Sequence, residues 1–194
     1  MKRFVGDLSD ADAELIEVYA SRARRVLEFG AGGSTQIIAQ SLPPAGKLTS
    51  LETDPEWIRI TSERLGKLRV RERVDLVPYS QWQPSGQYDL IFDDGVDELR
   101  LPFARRAWPL LGIGGVLLFH DTRRAHDVAN VLELVRSVFE EVDVVCMNEA
   151  IGGRRSNLTA VRKKSRDAYV NWTQTEGKPR WRYSLEPVPE SFWR

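Results

Sequence analysis

Short unbroken apolar runs alternate along this chain with stretches whose apolar residues recur at helical spacing. Leu15, Ile16, Val18 and Tyr19 follow Ser9 and Asp12, which stand three positions apart like the two ends of a capping box, so a first helix starts near residue 10. Residues 25–29 (RVLEF) form a β-type run that breaks into Gly30, Gly32 and Gly33; Ser34 then caps a helix to about Ser41, stopped by Pro43 and Pro44. The design repeats with a strand over 47–51, then a helix capped by Asp54, opened by Pro55 and running to about Leu65. Further strands are expected over 74–77, 88–92 (YDLIF) and 116–119. A helix over 102–111, closed by Gly112, Gly114 and Gly115, precedes the last of these.

Near-continuous apolar strands alternating with helices indicate a parallel sheet covered on both faces. The chain then changes character: a helix over 127–139 leads to a strand over 142–147, and a polar loop with Gly152 and Gly153 joins it to a last strand over 157–161. So short a connection permits a hairpin, and one of these two strands should run against the others. The expected fold is a doubly wound α/β domain, with a mostly parallel seven-stranded sheet ending in an antiparallel hairpin, over residues 1–164. From Ser165 periodicity fades into an irregular aromatic and basic tail with Trp172, Trp181 and Trp193, read as a packing arm or a homodimer contact.

Composition narrows the partners. A length of 194 residues gives room for one domain, and 28 basic against 28 acidic residues leave no global field to draw the chain to nucleic acid or an anionic membrane. No stretch approaches the roughly 18 apolar residues of a membrane span. Cys146, the only cysteine, lies in an apolar run and reads as a buried, inert thiol. A cytoplasmic protein acting on a small molecule is expected.

The strongest chemical signal is the turn Glu28-Phe29-Gly30-Ala31-Gly32-Gly33-Ser34-Thr35. Glycines let the backbone turn sharply and approach a ligand, while amides at the start of the following helix offer donors to an anionic group. Glu52 ends the second strand about 20 residues on, where a carboxylate can accept hydrogen bonds from both hydroxyls of a ribose. Glycine turn and acid together imply a nucleoside-containing ligand, without separating S-adenosylmethionine from NAD.

Residues 27–35, 51–55, 88–95 (YDLIFDDG) and 114–122 (GGVLLFHDT) stand in the order and spacing of class I S-adenosylmethionine-dependent methyltransferases. Within them the chain most resembles the small O-methyltransferase branch related to catechol O-methyltransferase and to antibiotic- and sugar-tailoring enzymes. The resemblance covers about residues 25–161. It implies that Glu28, Gly30, Gly32, Ser34 and Thr35 surround the methionine part of the cofactor, that Glu52 holds the ribose, that Ser80, Gln81 and Trp82 contact the adenine, and that Ala31, Thr53 and Asp93 complete the cofactor site. Asp94, His120 and Asp121, at adjacent strand ends, could hold a divalent cation such as Mg²⁺ with open positions for substrate oxygens. Asp94, Asp97 and His120 are the candidate catalytic groups.

Departures from that pattern count too. Related enzymes place a Lys or His shortly after the aspartate that ends the fourth strand, where this chain has Gly95-Val96-Asp97-Glu98. Asp97 could replace it, although an exposed carboxylate with a pKa near 4 is a poor base for an alcohol. The expected activity is therefore methyl transfer to an oxygen of a small molecule or sugar. A methyltransferase-like module that binds without catalysis, or an NAD-dependent oxidoreductase, stand as alternatives. The oxidoreductase is disfavoured because Thr35 occupies the place of the third glycine in its fingerprint.

Overall fold

The computed structural model describes residues 7–164, so the tail and its expected roles lie outside the described residues. Strands β1 (Arg25–Phe29), β2 (Lys47–Glu52), β3 (Val74–Pro78), β4 (Tyr88–Asp93) and β5 (Leu111–Phe119) run parallel in one sheet. β6 (Val142–Cys146) and β9 (Thr159–Lys163) complete its seven strands, in the order β3-β2-β1-β4-β5-β9-β6. β9 inserts between β5 and β6 and runs antiparallel to both, as the short connection requires. Within that connection β7 (Ala150–Ile151) and β8 (Arg154–Arg155) pair as a separate small hairpin.

Two apolar layers flank the sheet. Helices α1 (Asp10–Ala20), α2 (Gly33–Ser41) and α3 (Pro55–Lys67) bury Ile16, Ile37, Ile38 and Leu65 against Val26, Leu48, Leu90 and Leu118. On the other face α4 (Asp97–Ala107) and α5 (Ala125–Ser137) bury Phe103, Val131 and Leu134 against Leu27, Ile91, Leu117 and Phe119. The strand order reverses between β1 and β4, and the crevice outside the carboxyl ends of these two strands is where such sheets bind ligands. No helix among the described residues is long and apolar enough to cross a membrane.

Three elements differ from expectation. The helix before β5 begins at Asp97 rather than at Pro102, which lies inside it. Asp97 and Glu98 favour the helix start electrostatically, and the carbonyl that Pro102 leaves without a donor belongs to exposed Glu98, where water can reach it. Gly112, Gly114 and Gly115 do not stop that helix but lie in β5, where the register slips between Tyr88 and Leu90. A bulge there accommodates glycines that sequence alone reads as a terminator. Cys146 is exposed on β6, the edge strand among the described residues, which have no further strand beside the apolar run around it.

The turn after β1 is fixed by a buried acid. Glu28 accepts hydrogen bonds from the hydroxyls of Ser34 (2.5 Å), Thr35 (2.7 Å) and Ser50 (2.6 Å), tying the start of α2 to β1 and β2. Ser34 is therefore not the cap of α2; the helix starts at Gly33, and the Thr35 hydroxyl accepts from the Gly32 amide at 2.7 Å. Burial pushes the Glu28 carboxyl up to about 7, the three hydroxyls opposing and the Asp94 charge adding. Below its ordinary value near 4.5 both folded and unfolded chains hold the proton, and the stability this group contributes is complete. As pH rises toward 7 the unfolded chain releases the proton first, so that contribution is lost. Glu28→Gln carries no such proton, and its stability relative to wild type should rise by about 1–3 kcal/mol between pH 5 and pH 8. Denaturant titrations at the two pH values measure this; a difference that does not change with pH would mean that Glu28 titrates normally.

Candidate functional site

A cleft of about 550 Å³ opens at the carboxyl edge of the sheet, bounded by residues 30–34, Glu52 and Trp57 on one side and by Asp94, Arg100, His120, Asp121 and Arg124 on the other. Its floor is a close backbone approach. Gly30 has a φ of 96°, and a Cβ there would stand 2.2 Å from the Asp94 carbonyl oxygen; at Gly95 a Cβ would stand 2.1 Å from the Phe29 ring. Only glycine lets β1 and β4 release their chains this close together. The first-turn amides of α2 have no intrahelical acceptors and face the same end of the cleft.

Glu52, almost fully buried, turns its carboxylate toward that floor. Oε2 accepts from the Ala31 amide at 3.0 Å, and Oε1 accepts from the amides of Thr53 (2.6 Å) and Asp54 (2.9 Å) and from the Thr53 hydroxyl. A carboxylate oxygen has two acceptor sites, so Oε2 keeps capacity for a hydroxyl in the cleft. Trp57 enters from the first turn of α3, which Asp54 caps by accepting from the Glu56 and Trp57 amides.

At the other end aspartates meet around cations. His120 Nδ1 lies 2.9 Å from Asp94 Oδ1 and 3.4 Å from Asp121 Oδ1, and its Nε2 lies 3.7 Å from Asp12 of α1. Asp121 follows β5 with a φ of 59°, a left-handed conformation that aspartate tolerates and that turns the chain sharply toward α5. Burial disfavours the charged imidazole, but the Asp12, Asp94 and Asp121 carboxylates outweigh it and raise His120 to about 10. At neutral pH the ring is therefore a proton donor and not a base. Burial likewise opposes ionisation of Asp12, yet His120, the Ser9 hydroxyl and the Ser9 and Asn157 amides hold its carboxyl well below the usual range.

Asp94, His120 and Asp121 thus come together as their strand-end positions suggest, with one ligating atom from each inside a span of 4.8 Å. Gly30, Ala31, Gly32, Ser34 and Glu52 also line the cleft. Other candidates stand elsewhere. Glu28 and Thr35 are buried behind the turn and serve it structurally, while Thr53 supports Glu52. Trp82 is a core residue packed on Phe103 and Tyr79, with ring centroids 5.5 and 6.2 Å away, because the turn after β3 folds back over the α4 face. Ser80 and Gln81 are exposed in that turn, outside the cleft lining. Asp93 is fully buried rather than in the cleft lining, and burial raises its carboxyl well above the usual carboxylate range. Asp97 turns away to Arg124, 2.8 Å distant, and that hydrogen bond holds its carboxyl low, which makes it a still weaker base.

Arg100 and Trp57 line the cleft although no motif singles them out, and Asp12, which the sequence marks only as a capping-box residue, joins the cluster. Arg100 follows Asp97 by three positions on α4, so helical spacing already places the two side by side. What the spacing cannot show is that α4 lays this guanidinium over the ends of β4 and β5.

Against known proteins, a family model described as a methyltransferase domain matches residues 27–122. Catechol O-methyltransferase of Mycobacterium tuberculosis is 27% identical over 158 residues, covering 78% of this chain and 72% of that protein. Among solved structures, the O-methyltransferase TomG of Streptomyces achromogenes, involved in tomaymycin synthesis and solved with S-adenosylmethionine, superposes with a TM-score of 0.66 at 19% identity over 82% of each chain. An O-methyltransferase of Bacillus cereus in complex with S-adenosylhomocysteine gives 0.65 at 18% identity over 81% of this chain and 83% of the other. The switch-point cleft, the glycine turn with its ribose-type acid and these likenesses agree, and the chain belongs to the class I S-adenosylmethionine-dependent methyltransferases.

Proposed function

We propose that the protein methylates an oxygen of a small molecule, with the methyl donor lying between the glycine turn and Glu52 and the acceptor entering beside Asp94, Val96 and Arg124. The observation that carries this is the Glu52 carboxylate, anchored by three backbone amides beside a cleft floor that excludes any side chain at Gly30. The residues present suit the donor: an acid with spare acceptor capacity for ribose, helix-start amides for a carboxylate, and the Trp57 ring as an aromatic wall in place of Trp82. S-adenosylmethionine supplies a methyl on a sulfonium. The protein's part is to hold donor and acceptor in line and exclude water, so proximity and orientation carry most of the rate. The first named relative is a catechol O-methyltransferase, which supports hydroxylated aromatic acceptors as the first class to try.

The donor types at Asp94, His120 and Asp121 suit a hard cation, but in this arrangement they do not fit one, because guanidinium groups already stand on the same carboxylates. No step is therefore assigned to a metal. A cytoplasmic setting, where the methyl donor is available, belongs to this proposal, as does a homodimer formed through residues 165–194.

S-adenosylhomocysteine should bind with micromolar affinity and NADH should not. Glu52→Ala should weaken that binding by about 1–3 kcal/mol, since ribose hydroxyls lose a charged acceptor, and Trp57→Ala by about 0.5–1.5 kcal/mol. Calorimetry on the folded variants decides; unchanged affinity in Glu52→Ala would remove that residue from the site. Incubation with S-adenosylmethionine and a panel of catechols and other small hydroxylated compounds, followed by mass spectrometry, should yield a methyl ether.

Deleting residues 171–194 should leave affinity for S-adenosylhomocysteine unchanged, because all the described residues that line the cleft precede them. Light scattering on the same truncated protein should show a monomer. A dimer that survives truncation would assign the contact to another surface.

A further inference from the structure

Arg100 sits at the centre of the strand-end cluster with its side chain 6% exposed. Its Nε donates to the Gly95 carbonyl at 2.8 Å, and Nη1 donates to the His120 carbonyl at 3.2 Å and to Asp127 Oδ1 at 3.0 Å. Nη2 reaches Asp94 Oδ1 at 3.2 Å and Asp121 Oδ2 at 3.3 Å. A guanidinium has five N–H groups, and here each has an acceptor. The side chain is fully committed to this place, unlike an arginine resting on a surface.

We propose that the Arg100 guanidinium is the resident cation of this site, so that Asp94, His120 and Asp121 take up no divalent ion and methyl transfer runs without one. An ion shared by those three residues would have to draw on Asp94 Oδ1 or Asp121 Oδ2, or else stand directly beside them, with Nη2 in contact with both oxygens. Arg124 Nη2 lies 3.3 Å from the same Asp121 oxygen, and Asn157 Nδ2 donates to the other at 3.0 Å. Two guanidinium groups and an amide thus occupy both oxygens of Asp121 and one oxygen of Asp94, and an ion on the remaining Asp94 oxygen would stand beside Nη2. Repulsion between a divalent ion and a guanidinium a few ångströms away acts well within a Debye length and is little screened by salt. Arg100 cannot step aside cheaply either, since leaving would strand the Gly95 and His120 carbonyls and remove the guanidinium that Asp94, Asp121 and Asp127 share.

This inference rests on the methyltransferase reading, and its test separates the two. The full-length protein is titrated with Mn²⁺ and free ion is followed by electron paramagnetic resonance, while calorimetry with S-adenosylhomocysteine is run on the same samples. Wild type should retain cofactor binding and show no stoichiometric Mn²⁺ site. Arg100→Met should gain a site at least about tenfold tighter than wild type, lost again in Arg100→Met with Asp94→Asn, because carboxylates freed of their cation recruit another. Arg100→Lys keeps the charge and should remain without such a site even if Arg100→Met fails to fold. Stoichiometric Mn²⁺ binding to wild type that Asp94→Asn abolishes would overturn the proposal while leaving the methyltransferase reading intact, and so would a folded Arg100→Met with no gain. Once an acceptor is found, wild-type turnover should be indifferent to chelator. Failure of wild type to bind S-adenosylhomocysteine would instead count against the functional reading itself.

Discussion

Carboxylates placed at neighbouring strand ends of a parallel sheet must be compensated, and that requirement organises one whole edge of this molecule. Asp94 and Asp121 leave β4 and β5 side by side, Asp12 arrives from α1, and Asp97 and Asp127 come from the first turns of α4 and α5. Three groups answer them: Arg100, Arg124 and the His120 imidazolium, each in contact with at least two of the acids. Because the pairs are shared, elements far apart in sequence are locked to one another. Arg100 holds the start of α4 to the ends of β4 and β5 and to α5, and His120 draws α1 toward the same point. Buried ion pairs need not stabilise a fold relative to apolar packing. Here they fix which strand ends and helix starts meet, and with that the shape of the Asp94–Arg124 side of the cleft.

Two glutamates show how environment divides one chemistry into two roles. Glu28 ends within a ring of three hydroxyls, fully buried, and its carboxyl is raised. Its hydrogen bonds close a turn, and nothing of it reaches the cleft. Glu52, one strand over, is surrounded by backbone amides that leave it at the cleft wall with acceptor capacity to spare on one oxygen. In the proposed arrangement the first acid shapes the loop that carries the donor's methionine end and the second recognises its sugar. Both depend on Gly30, whose missing Cβ allows the turn after β1 to rest on the backbone after β4.

Strand and helix order, the antiparallel strand near the end and the glycine turn were all legible because each follows from a local pattern: an apolar run, a cap, a short connection. Trp82 was misplaced for lack of any local mark that says which face of a loop an aromatic turns to; the core took it, and Trp57, three residues past a helix cap, took the cleft. The glycines of β5 and Pro102 of α4 carry the marks of termini, yet pairing with β4 and exposure of the orphaned carbonyl override them. Arg100 was hidden for a different reason. Its partners lie just after β4, just after β5 and on α5, and only the crossing of helix over sheet brings them within reach.

The absence of a Lys or His after Asp94 takes on a different meaning once the cluster is seen whole. Arg100 and His120 both contact Oδ1 of Asp94, leaving Oδ2 as the oxygen available to the cleft that Asp94 lines. A single carboxylate oxygen held rigidly from behind is a good hydrogen-bond acceptor for an incoming hydroxyl and a modest base for it. It can aim an acceptor oxygen at a methyl group without first stripping its proton, and in-line approach is what the transfer requires. Strong general-base assistance is then not what this site is built to provide. Acceptors whose hydroxyl is already acidic, phenols before aliphatic alcohols, are the ones that such an arrangement can serve at neutral pH.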